Sequence, residues 1–178
     1  MKTVSIFSTV NPVNNEPLKT YNHLSENELD AVLKKSDAAF EQWRRKTPEE
    51  RQGYLTRLAA SMASHRSEMA KMMSLEMGKP LAEAEAELKK CESTIKYYAE
   101  KDPSILAPKF VSSTFKKSAY VPCPTGVILG IMPWNFPVWQ IIRFCLPTLF
   151  LGNVTITKPS DQTAGTSAIL QKAFDDAF

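Results

Sequence analysis

Histidine and cysteine are scarce in this chain. The two histidines, His23 and His65, lie far apart in sequence, which excludes a histidine-rich metal centre. The three cysteines, Cys91, Cys123 and Cys145, form no CxxC pair. An odd count at wide spacing speaks against a disulfide framework or a zinc site, and fits a reducing compartment. The start, Met1 to Ile6, has neither a long apolar run nor a small-residue cleavage site, so no signal peptide is read there and a cytoplasmic protein is expected. Strong charge of one sign is also missing: the net charge is +3, too weak and too mixed for a nucleic-acid partner. Internal repeats and low-complexity tracts are absent. What remains is an ordinary globular balance, 43% apolar and 23% charged over 178 residues, the size of one domain.

The charge is spread unevenly. Between Ser118 and Thr157 the only charged residue is Arg143. A membrane span would need about 18 nearly unbroken apolar residues. Here Asn135, Gln140, Arg143 and prolines 133, 137 and 147 interrupt the run. Buried strands and a buried helix are the expectation instead.

The first hundred residues read as helices. Ser25-Glu26-Asn27-Glu28 is a capping box, with Leu24 and Leu29 at the positions of a hydrophobic staple. Apolar residues 29, 32, 33, 40 and 43 then mark one helix face. Thr47-Pro48-Glu49-Glu50 repeats the signal with proline at the first helical position. Leu55, Leu58, Ala59 and Met62 form its inner face, and Met69, Met72 and Met73 continue it. This methionine stripe reads as core rather than as an adaptable groove. Gly78 is the expected C-cap, followed by Pro80. A third helix carries Leu81, Ala84, Leu88, Cys91, Ile95 and Tyr98, and stops before Pro103.

Beyond residue 114 the period changes. Residues 115–121 read as a partly exposed strand and 122–126 as a turn. Residues 127–132 read as a buried strand, 136–150 as a helix, 153–158 as a second buried strand and 163–177 as a second helix. Strand, helix, strand, helix at this spacing is a βαβα unit with a parallel sheet, so the fold class is α/β. Ligands of such sheets bind beyond the carboxyl ends of the strands. Two segments fall there, Met132-Pro133-Trp134-Asn135-Phe136-Pro137 and Lys158-Pro159-Ser160-Asp161. The usual G-x-G-x-x-G dinucleotide fingerprint is absent after the first strand.

Pro124-Thr125-Gly126-Val127, the Pro133 to Pro137 block, Pro147 with Leu149, Gly152-Asn153 and Lys158-Pro159-Ser160-Asp161, at these distances, resemble the NAD(P)-dependent aldehyde dehydrogenase superfamily. Glu76-Met77-Gly78-Lys79-Pro80-Leu81 is similar to the family's N-terminal region. The resemblance covers essentially the whole chain, whereas family members are well over twice this length. It implies N-terminal helices (1–114), an oligomerisation-type strand (115–123) and the first βαβα of a Rossmann-like cofactor domain (124–178). On this reading the chain is an N-terminal fragment. The general-base glutamate and nucleophilic cysteine lie outside it, and the chain alone is inactive.

The resemblance also implies roles. Asn135 corresponds to the oxyanion-hole asparagine, whose side-chain amide stabilises the oxygen that turns negative under thiolate attack, worth roughly 3 kcal/mol of barrier. A helix N-cap is its other reading. Met132, Pro133 and Trp134 would line the cofactor site, although Trp134 could equally be a core residue. Lys158, Ser160 and Asp161 would meet the adenosine ribose. Lys158 could instead be a surface lysine, and Asp161 a helix cap. Phe136, Gln140 and Arg143 would face the substrate. Arg143, taken as buried, needs a carboxylate, either that of an acidic aldehyde such as succinate semialdehyde or that of a structural partner. Phe144 stands where the family often has lysine. The three cysteines read as inert. The implied activity is oxidation of an aldehyde to an acid with NAD, NADP being the alternative, by a homo-oligomer (dimer or tetramer) that needs no metal. Another aldehyde or aminoaldehyde substrate, or a non-catalytic nucleotide-binding module, is the alternative.

Overall fold

A computed structural model describes residues 6–178. Strands β1 (Ile6–Val10) and β2 (Pro17–Asn22) form an antiparallel hairpin. Helices α1 (Glu26–Trp43), α2 (Pro48–Met77) and α3 (Leu81–Glu100) follow. A short 3-10 turn (Pro103–Leu106) leads to a second antiparallel ribbon, β3 (Lys109–Val111) with β4 (Ser118–Tyr120). The βαβα unit closes the chain: β5 (Val127–Ile131), α4 (Trp139–Phe150), β6 (Val154–Lys158) and α5 (Ala164–Ala177). Strands β5 and β6 are parallel neighbours, with Ile131 opposite Lys158.

Both capping boxes form. Glu28 N–H donates to Ser25 Oγ at 3.3 Å and Ser25 N–H to Glu28 Oε2 at 2.8 Å; Thr47 and Glu50 make the same exchange. Gly78 ends α2 in the left-handed conformation at φ 69°, which only glycine enters without strain. Helix α2 is the axis of the core. Its Leu55, Leu58, Met62, Met69 and Met73 are fully buried, packed with Leu88 and Ile95 of α3, Ile142 and Leu146 of α4, and Leu170 of α5. Each such side chain contributes roughly 1.5–3 kcal/mol of hydrophobic stabilisation. The methionine stripe is therefore core, filling irregular gaps between helices. Trp43 anchors the end of α1 to the βαβα unit by donating its indole N–H to the Leu149 carbonyl at 3.0 Å.

The widely spaced motifs meet. Asn153 is buried, and its Oδ1 accepts from the N–H groups of Thr125 (2.6 Å) and Gly126 (3.1 Å). The asparagine before β6 thus fixes the turn before β5. Gly152 beside it has φ +94°, and a Cβ there would lie 2.0 Å from Arg51 Nη1. Gly130 has a similar role in β5: a Cβ would fall 2.7 Å from the Phe144 ring, so the glycine lets α4 lie close on the strand.

Four expectations change. The β1–β2 hairpin precedes the helices, where no strand was expected; its residues are mostly exposed, so burial imposes little alternation on the sequence. The strand expected over 115–121 shrinks to Ser118–Tyr120 and pairs with Lys109–Val111, inside the region expected to be helical. Helix α4 starts at Trp139 rather than Phe136, because the residue before a proline disfavours the helical conformation and Phe136 precedes Pro137. Strand β5 is not buried: Leu129 and Ile131 are 62% and 76% exposed. Gly130 between them meets Phe144 of α4, so they point away from α4, and α1 packs chiefly against β6. Leu33 of α1 and both staple leucines, Leu24 and Leu29, are exposed as well.

Neither βαβα helix has a side-chain cap of its own. Each is capped by a buried glutamate from the helical layer. Glu76 of α2 accepts from Gly165 N–H (2.7 Å), Thr166 N–H (2.9 Å) and Thr166 Oγ1 (2.8 Å) at the start of α5. Glu87 of α3 accepts from the N–H groups of Val138 (3.1 Å) and Trp139 (2.9 Å) at the start of α4. Replacing Glu76 by alanine strands these donors. A buried donor left without a partner costs about 1–3 kcal/mol, so Glu76→Ala should lower the urea unfolding midpoint clearly. Glu76→Gln, which keeps one acceptor oxygen, should fall between Ala and wild type.

Candidate functional site

The two segments expected at the carboxyl ends of the strands are brought together. Met132 N–H donates to the Lys158 carbonyl at 2.9 Å, extending the β5–β6 pairing by one bond. The 132–138 loop and the 158–161 segment therefore leave the sheet side by side. Trp134 is 50% exposed, so it is not a core tryptophan. Pro133, Asn135 and Phe136 are exposed as well.

Asn135 does not cap α4; Val138 occupies that position and Glu87 supplies the acceptor. The Asn135 carbonyl accepts from Lys79 Nζ at 3.1 Å, while its side-chain amide has no hydrogen bond among the described residues. The backbone is held and the donor group is free. Lys79 Nζ also forms an ion pair with Glu87 Oε2, both side chains being at least nine-tenths buried, and lies 4.1 Å from the centre of the Phe136 ring.

Lys158 and Asp161 form an ion pair at 2.7 Å with both side chains about half exposed. Asp161 is not the cap of α5, a place taken by Glu76. Ser160 caps the short 3-10 turn Asp161–Thr163, its Oγ accepting from Gln162 N–H at 3.4 Å. The pair offers a donor cation and an acceptor carboxylate at the end of one strand, a set that suits vicinal hydroxyl groups. No group of three or more His, Cys, Asp or Glu side chains that could hold a metal occurs among the described residues.

Arg143 departs from expectation. It lies on the exposed side of α4 and has no ion pair among the described residues. It lines an open groove with Met132, Gln140, Phe144, Gly130 and Thr148. A structural salt bridge is thus not its role within these residues. The interval from Asn135 to Arg143 is eight residues, and the irregular loop followed by one turn of helix places Gln140 and Arg143 on the groove beside Met132.

Sequence reading missed the Lys79–Glu87 pair and the two glutamate caps. The signal available was the low exposure that Glu87 inherits from its place between Ala84, Leu88 and Cys91 on the inner stripe of α3. A glutamate on an apolar stripe asks for a partner.

Cys91 and Cys145 have the surroundings of inert thiols. Burial pushes the Cys145 thiol up to about 11, against a weak opposing effect from its contact with Thr155 Oγ1. Burial, assisted by the Glu87 charge, pushes Cys91 up as well. The thiolate is the nucleophile, so neither sulfur is reactive near neutral pH. Cys123 is exposed. At pH 8 a thiol reagent should titrate one cysteine of the native chain quickly, a reaction lost in Cys123→Ser, and the other two only on unfolding.

Comparison with known proteins accords with this geometry. The aldehyde dehydrogenase family model matches residues 2–178. The chain is 37% identical over 171 residues to a succinate-semialdehyde dehydrogenase [NADP(+)] of Deinococcus radiodurans, covering 96% of this chain and 36% of that protein. It is 34% identical to a probable enzyme of the same name from Synechocystis, covering 96% and 37%. Among solved structures, succinic semialdehyde dehydrogenase from Streptococcus pyogenes in complex with NADP+ superposes with a TM-score of 0.90 at 29% identity, over 96% of this chain and 38% of that one. Betaine aldehyde dehydrogenase from Staphylococcus aureus in complex with NAD+ gives 0.87 at 26% identity, over 97% and 35%. The chain thus spans little more than a third of the length of these relatives. Its family is nonetheless shown by sequence and fold together: the chain belongs to the aldehyde dehydrogenase family.

Proposed function

We propose that this chain is the front part of the cofactor domain of an enzyme that oxidises succinate semialdehyde to the dicarboxylic acid with a nicotinamide dinucleotide. The observation that carries this reading is Asn135. Its backbone is anchored by a buried ion pair, and its carboxamide is left free at the carboxyl edge of a parallel sheet. A fixed, unengaged donor is what stabilises an oxygen gaining negative charge. A bound dinucleotide would supply the hydride acceptor; Met132, Pro133 and Trp134 would line its site, and Lys158, Ser160 and Asp161 would hold its adenosine ribose. Phe136 and Gln140 shape the substrate groove. The exposed Arg143 gives it a cation for the distal carboxylate, consistent with the acidic substrates named for the similar proteins. The nucleophilic cysteine and general base belong to the remainder of the enzyme, and the exposed ribbon with Phe110 and Tyr120 supports assembly into a homo-oligomer in a reducing, cytoplasmic setting. No helix among the described residues is long and apolar enough to cross a membrane. The purified 178-residue chain should show no aldehyde-dependent reduction of NAD or NADP. Turnover that disappears when one of its own cysteines is replaced would overturn the reading.

In the complete enzyme, Arg143→Leu should lower kcat/KM for succinate semialdehyde by roughly 10- to 150-fold, the worth of a charge-assisted pair. Butanal should be hardly affected, and the melting temperature should stay put, because no acidic side chain pairs with Arg143 among the described residues. Equal losses on both aldehydes would discard the carboxylate anchor.

The nucleotide preference we infer is NAD. A 2′-phosphate beside the Asp161 carboxylate suffers a like-charge repulsion, about 1–4 kcal/mol per unit charge at ~4 Å between bulk-water and surface dielectrics. The Lys158 ion pair offsets part of it, which places the expected discrimination at the lower end. The similar succinate-semialdehyde dehydrogenases are named for NADP(+), so Asp161 is the residue to test. Asp161→Ser should shift the ratio of specificity constants toward NADP. A wild-type preference for NADP would remove Asp161 from the ribose site.

A further inference from the structure

We propose that Lys79 and Glu87 are positioning residues for Asn135, acting as a clamp that sets where its carboxamide points. The 132–138 loop has no regular structure of its own, yet it carries the donor on which the proposed chemistry depends. Beyond its bonds to β6 and to the first turn of α4, three contacts tie it to the helical layer, and all three come from one buried ion pair. Lys79 Nζ donates to the Asn135 carbonyl at 3.1 Å. Lys79 is in turn paired with Glu87 Oε2, the two side chains being 7% and 2% exposed. The other carboxylate oxygen, Glu87 Oε1, accepts from the N–H groups of Val138 and Trp139. The peptide following Asn135 is therefore held through its own oxygen, and the chain three and four residues later is held through its nitrogens. A seated Lys79 also lies under the Phe136 ring.

The placement of Lys79 is itself built. Gly78 turns left-handed at the end of α2, so the next side chain leaves the helix axis toward the loop. Glu87 lies on the inner stripe of α3 between two fully buried residues, Ala84 and Leu88. A charge buried there is tolerated because a lysine ammonium and two helix N-terminal N–H groups share it. A clamp of this kind acts only through Asn135, since no atom of either side chain is the free donor.

This role presupposes the oxyanion function of Asn135, so the test must separate the two. In the complete enzyme, Lys79→Met with Glu87→Gln replaces the ion pair by neutral groups of similar shape and keeps an amide oxygen to cap α4. An oxyanion donor is worth roughly 10²–10³ in kcat, and a misplacement of about 1 Å can cost on the order of 10²-fold. The double variant should lose roughly 10- to 100-fold in kcat with little change in the KM for the nucleotide. Asn135→Ala alone should lose at least as much. In the Asn135→Ala background, the Lys79→Met/Glu87→Gln change should cost less than about twofold, because there is no longer a donor to misplace. A purely structural ion pair would instead impose the same loss in both backgrounds, and that result overturns the clamp, as does full activity of the double variant.

Hydrogen exchange across residues 133–140 supplies the second readout. The amides of Val138 and Trp139 should exchange faster in the double variant while those of α2 keep their protection. If Asn135→Ala leaves turnover unchanged, the oxyanion reading fails on its own, and exchange still judges the clamp: unaltered rates across the loop would overturn it. If Lys79→Met/Glu87→Gln does not fold, Lys79→Arg provides the counterpart. It keeps both the charge and a donor for the Asn135 carbonyl, so it should stay within about tenfold of wild-type kcat, and a larger loss in a stably folded Lys79→Arg enzyme would count against the clamp.

Discussion

Two buried carboxylates hold the halves of this molecule together. Glu76 and Glu87 leave the helical layer, and each ends on the first backbone N–H groups of a βαβα helix, α5 and α4 respectively. The start of a helix presents N–H groups with no internal partner and a positive end of the helix dipole. A carboxylate satisfies both needs at once. Because each glutamate is almost fully buried, its own desolvation is repaid only if those donors stay in place. These two buried caps help fix the register of the helical layer against the βαβα unit, with the apolar packing of α2 between α3 and α5 supplying the bulk of the stabilisation.

The same two bonds shape what the sheet edge can bind. In many dinucleotide-binding folds a pyrophosphate sits on the N-terminus of the first crossover helix. Here that position is filled by the Glu87 carboxylate, and the next helix carries Glu76. An anion brought to either terminus would find its first N–H groups already engaged by a carboxylate. The missing glycine fingerprint and the glutamate caps are thus two sides of one arrangement. The polar groups left unengaged by the caps lie on the loops and the outer face of α4: the free Asn135 amide, the Lys158–Asp161 pair and the Arg143 groove.

The helical layer also explains why Asn135 can be exposed and yet fixed. Exposed loops are usually mobile, since few buried contacts oppose their opening. This loop is flanked by buried Pro137 and Val138 and tied through its backbone to Lys79 and Glu87. Burial is carried by the supports, and exposure by the Asn135 amide.

Local signals in the sequence determined much of the molecule. The two capping boxes, the Gly78 stop, the methionine stripe and the strand–helix–strand–helix alternation are set by side-chain chemistry within a few residues or by periodicity, and each forms, with α4 starting later than expected and β5 more exposed. The motif blocks around Asn135 and Lys158 were sufficient to place the chain in its family. Tertiary structure decided the remainder, because the deciding partners are distant in sequence. Glu87 reaches across 51 residues to cap the start of α4 at Val138, a place that the sequence offered to Asn135. Glu76 reaches 89 residues to Gly165, which releases Asp161 to pair with Lys158. Arg143 sits in the least charged stretch of the sequence yet faces outward, because a helix's orientation on a sheet is set by what packs beneath it, here Phe144 against Gly130. Composition records that a charge is isolated along the chain; only packing records which side of the helix it occupies.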